Sequence, residues 1–416
     1  MSNHGKRSQL SWAFYDWANS AFATTVMAGF FPVFFKEFWA ADLPVTDSTF
    51  WLGVGNSVAS ILVVVLAPFI GALADQGGHK KKLLVLFAFL GILMSASLYF
   101  VASGFWVMAL VIYGLGVIGF SSSIVCYDAL LVDVAPAAQL DRVSAFGFAL
   151  GYLGGGLLFA LNVVMVLKPA VFGLEDASAA VRVAFLMVAT WWALFSIPVI
   201  LFVQERKPIA TGPGIFRSAI QELISNIREV HQYRMAFTFL VAYWLYIDGV
   251  DTIVRMAVDY GMAIGFDASD LLTALLVTQF VGFPAALVFG RIGERFGPKA
   301  GINAALVIYV LVVIWAWHMQ AVWEFYGLAV SIGLVQGGIQ ALSRSLYARL
   351  IPAERAGAFF GMYNMLGKFA AVLGPLLVGV VSMLTSNPRS GLLAILLLFV
   401  AGGLVLQAVK FPAPAD

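Results

Sequence analysis

Charge is scarce in this chain. Of its 416 residues only 11% are Asp, Glu, Lys or Arg, against roughly 25% in ordinary soluble domains. A water-soluble fold is thereby excluded, because the surface of a domain this size cannot be covered by so few polar groups. Cysteine is nearly absent: Cys126 stands alone, which rules out an intrachain disulfide and any multi-cysteine metal site. It reads as a small packing residue. The histidines are His4, His79, His231 and His318, too scattered for the His-Glu-x-x-His of a zinc protease. No metal and no cofactor are expected. The net charge of +2 forms no basic stripe, so nucleic acid is not an expected partner.

What the chain has instead is apolar length. Hydrophobic residues make up 62% of it. Segments of the roughly 20 mostly apolar residues that a spanning helix needs fall near 11–38, 51–74, 83–102, 105–132, 143–167, 181–203, 235–264, 270–290, 300–317, 322–347, 358–384 and 391–410. Lys6 and Arg7 precede the first run, yet its length and Asp16 mark it as a helix rather than a signal peptide. Only Lys36, Lys168, Arg182 and Arg389 lie in the loops on one side. Arg255, Arg344 and Lys368 fall within spans, and the other basic residues face the side of the termini. By the positive-inside rule both termini are cytoplasmic, and the short loops suit a bacterial inner membrane. The longest polar stretch, 204–234, contains Pro208, Gly212, Pro213 and Gly214 and an amphipathic piece around 215–230. It separates a six-helix half at 1–203 from another at 235–416. The expectation is an all-α polytopic membrane protein, monomeric, with twelve transmembrane helices in two pseudo-symmetric six-helix bundles.

The halves repeat in sequence. Gly71, Leu73, Asp75, Gly78 and Lys80 follow the second span; Gly290, Ile292, Glu294, Gly297 and Lys299 follow the eighth at one offset of 219. Trp12, Asp16 and Asn19 of the first span recur as Trp244, Asp248 and Asp251 of the seventh. Asp141-Arg142 and Glu354-Arg355 each open the fifth helix of a half. Parallel repeats of this kind point to alternating access around a midplane site. The glycine–acid–glycine–lysine loop resembles the signature loop of the major facilitator superfamily, with Gln76 in the place of its usual arginine.

A narrower resemblance runs through YDWANSAF (15–22), YIDGVDTI (246–253), QGGIQALSRSL (336–346) and FFGMYNMLGK (359–368). These segments are similar to bacterial permeases of the unknown-major-facilitator family, themselves similar to the yeast vacuolar amino-acid effluxer of autophagy. The resemblance implies a transporter, and an amino-acid-like substrate. It also implies a central cavity lined by the first, fourth, seventh and tenth helices.

Charges kept inside a membrane cost roughly 2.5–3.5 kcal/mol each on insertion scales and mark function. Asp248, Asp251, Arg255 and Asp259 share one face of the seventh helix. Arg255 can pair with Asp251 or Asp259, whereas Asp248 has no partner in that stripe and is the expected proton-coupling or substrate-amine site. Asp16 and Asn19 form the corresponding pair on the first helix. Gln336, Gln340, Asn364 and Lys368 complete the expected substrate and proton site. For gating, Asp75 and Glu294 of the repeated loops can cap a helix N-terminus or pair with a base. Aligning Pro136 with Pro352 sets Asp128 against Arg344 and Asp133 against Arg349, which predicts ion pairs between the halves.

Enzyme chemistry has little to stand on. Tyr15-Asp16 lacks the Gly-x-Gly-Asp partner of an intramembrane aspartyl protease, and Gly361 to Lys368 is followed by Phe369 where a phosphate loop needs Ser or Thr. An ion gradient, not ATP, must then drive any uphill movement. The expected function is proton-coupled secondary transport of a small solute, an amino acid being the class the resemblance implies. The alternatives are a lipid or drug exporter on the same fold, a channel, or an intramembrane enzyme.

Overall fold

A computed structural model of the chain describes residues 3–76, 78–205, 233–263, 268–385 and 388–410. Twelve long helices account for nearly all of them, and the described residues contain no strand. They are α1 (Gly5–Trp39), α2 (Val45–Asp75), α3 (Lys80–Ser97), α4 (Trp106–Ala129), α5 (Leu140–Leu167) and α6 (Ala177–Phe202). The second half supplies α7 (Arg234–Ala263), α8 (Ala268–Phe296), α9 (Pro298–His318), α10 (Val322–Leu350), α11 (Ala356–Thr385) and α12 (Pro388–Gln407). Among the described residues 11 of these carry a stretch long and apolar enough to cross a membrane; the twelfth, α11, is 30 residues long. Hydrocarbon offers backbone groups no partner, so each apolar run closes its own hydrogen bonds as a helix. With twelve crossings, the start of α1 and the end of α12 share one side, called here the terminal face. Of the expected connection at 204–234, only Gln204, Glu205, Tyr233 and Arg234 are among the described residues.

Several helices run past their apolar stretches. α8 continues through Arg291, Glu294 and Arg295, and α2 begins at Val45 rather than near 51. Polar residues at the water boundary cost a helix nothing, so hydropathy understates helix length there. Within α1 the wide π-type turns at Phe22–Phe30 and Phe35–Trp39 flank Pro32. Proline supplies no N–H to the ladder, and wider turns absorb the fault.

The sequence repeat is a structural repeat. Gly78 and Gly297, the second glycines of the two loop copies, both take positive φ (68° and 84°), a conformation other residues adopt only with strain. Pro136 and Pro352 each precede a 3₁₀ turn, Ala137–Gln139 and Ala353–Arg355.

The two halves touch along α2–α11 and α5–α8, and small residues set the spacing. Gly71 and Gly357 face each other so closely that a Cβ on either would overlap the other's carbonyl oxygen. A Cβ on Gly361 would lie 2.6 Å from the Ala67 oxygen, and one on Gly290 would lie 2.8 Å from the Ala145 Cβ. The core itself is aromatic: Trp12, Tyr15, Phe22, Phe31, Phe35 and Trp39 of α1 are all buried. Phe89, Val111 and Leu397 point outward, as a surface solvated by lipid allows.

Replacing Gly357 by valine forces α2 and α11 apart. Overpacking of this kind costs about 1–3 kcal/mol, so Gly357→Val should unfold at lower temperature in detergent. Gly53→Val, where nothing lies within 4 Å of the new Cβ, should behave as the wild type.

Candidate functional site

Arg344 of α10 is buried, only 3% exposed. Its guanidinium reaches out of its own half. Nη1 donates to Asp128 Oδ1 of α4 at 3.1 Å, and Nη2 lies 3.5 Å from Asp16 Oδ2 of α1. Nε donates to the Ser144 hydroxyl and Nη2 to the Ser144 carbonyl of α5, both at 2.9 Å. The rings of Phe148, Trp12 and Tyr127 lie 4.3, 4.8 and 5.3 Å from the guanidinium carbon, which adds cation–π attraction in a dry setting. The acids are held in turn: the Tyr127 hydroxyl donates to Asp16 at 2.8 Å, and Asn364 Nδ2 of α11 donates to Asp128 at 2.9 Å. Burying ions repays its desolvation cost only when their hydrogen bonds are met, and here they are.

Room for this cluster comes from α5. A Cβ on Gly147 would sit 2.7 Å from Asp16 Oδ2, and one on Gly151 would sit 2.6 Å from Ser20 Oγ. α1 can therefore press close enough for Asp16 to reach across.

Further contacts between the halves lie nearer the terminal face. Arg349 Nη2 donates to Asp141 Oδ2 at 2.7 Å, and Ser345 Oγ donates to Asp141 Oδ1 at 2.6 Å. Asp75 accepts the N–H groups of Gly357 and Ala358, each at 2.8 Å. Those are first-turn donors of α11, which have no partner inside the helix and carry its positive dipole end. Lys80 Nζ lies 3.7 Å from Asp75 and 3.2 Å from Asp133. Glu205, just past α6, accepts the N–H groups of Lys80 and Lys81 at 2.9 Å. Burial raises the Glu205 carboxyl above its ordinary range; those two bonds and the Lys80 charge offset part of the rise.

Two gating expectations are corrected. Asp133 and Arg349 do not pair. Asp133 stays within its own half on Lys80, and Arg349 takes the nearer Asp141 at the start of α5. Glu294 does not repeat what Asp75 does: it is exposed and makes no polar contact among the described residues, and Asp141 occupies the ground beside Gly293.

Behind Arg344 lies a cavity of about 520 Å³, bounded at one end by Asp16, Asp128 and Arg344. Asn19, Asp251, Gln336, Gln340, Asn364 and Lys368 line it, and its wall continues to Ala28, Met319 and Phe325 toward the opposite face. The volume falls within the usual range for small-molecule sites. Lys368 Nζ sits 6.0 Å from the Phe120 ring centre. The Asn19 Nδ2 is buried and makes no hydrogen bond. Gln279 Nε2 of α8 donates to Thr24 Oγ1 of α1 at 2.6 Å, a bond between the halves on the cavity wall. Asp248 is a correction: it does not line the cavity. It is fully buried against α11, with both oxygens accepting the Gly374 N–H at 2.9 and 3.0 Å. The turn of α7 that aims Asp251 inward aims Asp248 at its neighbour. The side chain of Arg255 lies outside the described ones.

Ser144, Tyr127, Thr24 and Gln279 escaped the sequence reading, since neutral polar residues inside spans carry no charge signal. Asp141 was visible as a repeat position, but its partner was not. Chemically, the cluster sets two carboxylates against one guanidinium and so has capacity for one more positive charge. The described residues hold no group of acids, histidines or cysteine spaced for a metal.

The family described as vacuole effluxer Atg22-like matches over residues 42–139 and 132–412. The "Uncharacterized MFS-type transporter YxiO" of Bacillus subtilis (strain 168) is 39% identical over 99% of this chain and 96% of its own length. "Autophagy-related protein 22" of Yarrowia lipolytica is 27% identical over 62% of this chain; the match spans 48% of that fungal protein. Among solved structures, the human organic anion transporter MFSD10 (TETRAN) superposes with a TM-score of 0.77 at 17% identity, over 98% of this chain and 100% of that one.

Removing Arg344 strands two buried acids, and breaking a buried pair from one side costs about 3–5 kcal/mol. Arg344→Gln should therefore destabilise the protein in detergent more than Asp16→Asn or Asp128→Asn. The triple variant should recover much of the loss, as read by thermal unfolding. Equal melting of Arg344→Gln and wild type would contradict the cluster.

Proposed function

The chain belongs to the vacuole effluxer Atg22-like family of the major facilitator superfamily, and from that premise we propose that it is a proton-coupled secondary transporter of a small amino-acid-like solute, working by alternating access. The observation that carries the reading is Arg344 held between Asp16 and Asp128 of the other half, at the end of a cavity. A cluster one positive charge short is a natural place for a proton. Taking a proton on either carboxylate weakens its hold on Arg344, which ties proton binding to separation of the halves. In the proposed cycle the terminal face is cytoplasmic, as the bias of Lys and Arg favours, and it is closed in this conformation. The cavity then serves the outer side, in a bacterial inner membrane.

The substrate class rests on charge complementarity. Asp251 and Lys368 line one cavity and suit an ammonium and a carboxylate respectively, while Asn19, Gln336 and Gln340 offer neutral hydrogen bonds. Phe120, Ile247 and Leu328 in the same wall favour a second reading, export of an amphipathic compound.

The test is flux in liposomes that contain a pH-sensitive dye. Pooled amino acids should acidify the lumen with wild-type protein. Asp16→Asn should lose the proton signal and retain exchange of labelled substrate. Proton movement unchanged in Asp16→Asn would exclude that residue from coupling. Silence with amino acids, alongside flux of amphipathic cations, would turn the assignment to the second reading.

A further inference from the structure

Away from the central cavity, a groove of about 810 Å³ runs down the lipid-facing side of α8, between α9 and α10. Its floor and walls are apolar: Val277, Val281, Pro284 and Val288 of α8, Ile308 of α9 and Leu334 of α10. The α8 residues that line it run from Thr273 to Phe289, about 24 Å of helix at 1.5 Å per residue, most of a hydrocarbon core about 30 Å thick. Water gains nothing in such a trough, whereas an acyl chain fills it.

The groove has a polar end. From Pro284 the helical repeat carries the same face of α8 through Val288 to Arg291 and then Arg295, at steps of four, three and four residues. Both arginines are exposed, and among the described residues neither forms an ion pair. Arg295 lies 5.2 Å over the Phe296 ring. Glu294 lies three residues from Arg291, about 60° round the helix, and about 100° from Arg295; it is exposed, and among the described residues it forms no ion pair with either. Lys299 is already committed, with Nζ donating to the Gln407 and Val409 carbonyls at the end of α12. The two guanidinium groups thus stand beyond the terminal-face end of an apolar trough about 24 Å long.

We propose that this groove is a site for one anionic phospholipid, with an acyl chain along α8 and its phosphate between Arg291 and Arg295. The occupant is a lipid because a soluble anion would leave the trough empty, and an uncharged amphiphile would leave both arginines unmatched. Planar guanidinium donors fit phosphate oxygens in pairs. The terminal face is also the side on which the anionic leaflet lies in the proposed orientation.

The experiment uses the full-length protein in nanodiscs of equal phosphatidylglycerol and phosphatidylcholine, released for native mass spectrometry. One retained phosphatidylglycerol is expected on the wild type. Arg291→Gln with Arg295→Gln should weaken retention about 30-fold, taking about 1 kcal/mol for each basic residue at the surface. Val288→Trp keeps both arginines and fills the groove, and it should lose the lipid as well. Inorganic phosphate in excess should not displace it. Equal retention of the two lipids by wild type, retention unchanged in the double arginine variant or in Val288→Trp, or displacement by phosphate would each overturn the site. Transport in the flux assay does not enter this readout, so the lipid site stands or falls apart from the proposed function.

Discussion

A guanidinium taken out of water and shared by acids of the opposite half is the constraint on which the rest of this structure turns. Among the described residues the Arg344 guanidinium has no hydrogen-bonding partner in its own half; Asp16, Asp128 and Ser144 all come from the first. Such a charge cannot be left behind when the halves separate, because an uncompensated ion in a low-dielectric interior costs several kcal/mol. Separation must bring water, a proton or a substrate ion to it. The glycines of α5 follow from the same constraint. Gly147 and Gly151 are small so that α1 can deliver Asp16, and Gly154 lets the Trp17 ring lie flat against the helix.

The polar contacts between the halves are distributed unevenly. Those of Arg344, Arg349, Ser345 and Asp75 gather toward the terminal face. On the other side of the cavity the described residues offer the single Gln279–Thr24 bond. It falls in the π-type stretch of α1, where irregular turns often accompany function. The glycine contacts of α2 with α11 and of α5 with α8 bring backbones close, and along α2–α11 the Asp75 cap is the side-chain contact that must release. A rocking motion of one half against the other is the movement this distribution suits.

The architecture was legible because lipid imposes a simple rule: a run of apolar residues long enough to cross must be a helix. Twelve spans and two halves followed from that; the repeated loop followed from five matching positions at one offset, and its second glycines, Gly78 and Gly297, take positive φ. The site was legible in part. Symmetry put Asp128 opposite Arg344, and they meet at 3.1 Å. The same symmetry put Asp133 opposite Arg349, and they do not meet, since it fixes which residues correspond and not which side chains are nearest. Asp248 misled for a related reason. The stripe of four positions spans an arc of about 80°, and within it Asp248 and Asp251 point about 60° apart. Only packing decides which of the two faces α11 and which faces the cavity. Neutral partners such as Ser144 and Tyr127 were silent, because a serine or tyrosine in a span announces nothing about its neighbour.

Asp75 and Glu294 occupy equivalent places in a duplicated chain, yet only Asp75 holds the first turn of a helix in the other half. A perfectly symmetric descendant would carry two such locks, and both would have to let go in one stroke. Every 1.4 kcal/mol added to the closed form divides the open population by ten. Divergence of the second copy therefore leaves the duplicated scaffold its shape while sparing it a second such lock on the closed form.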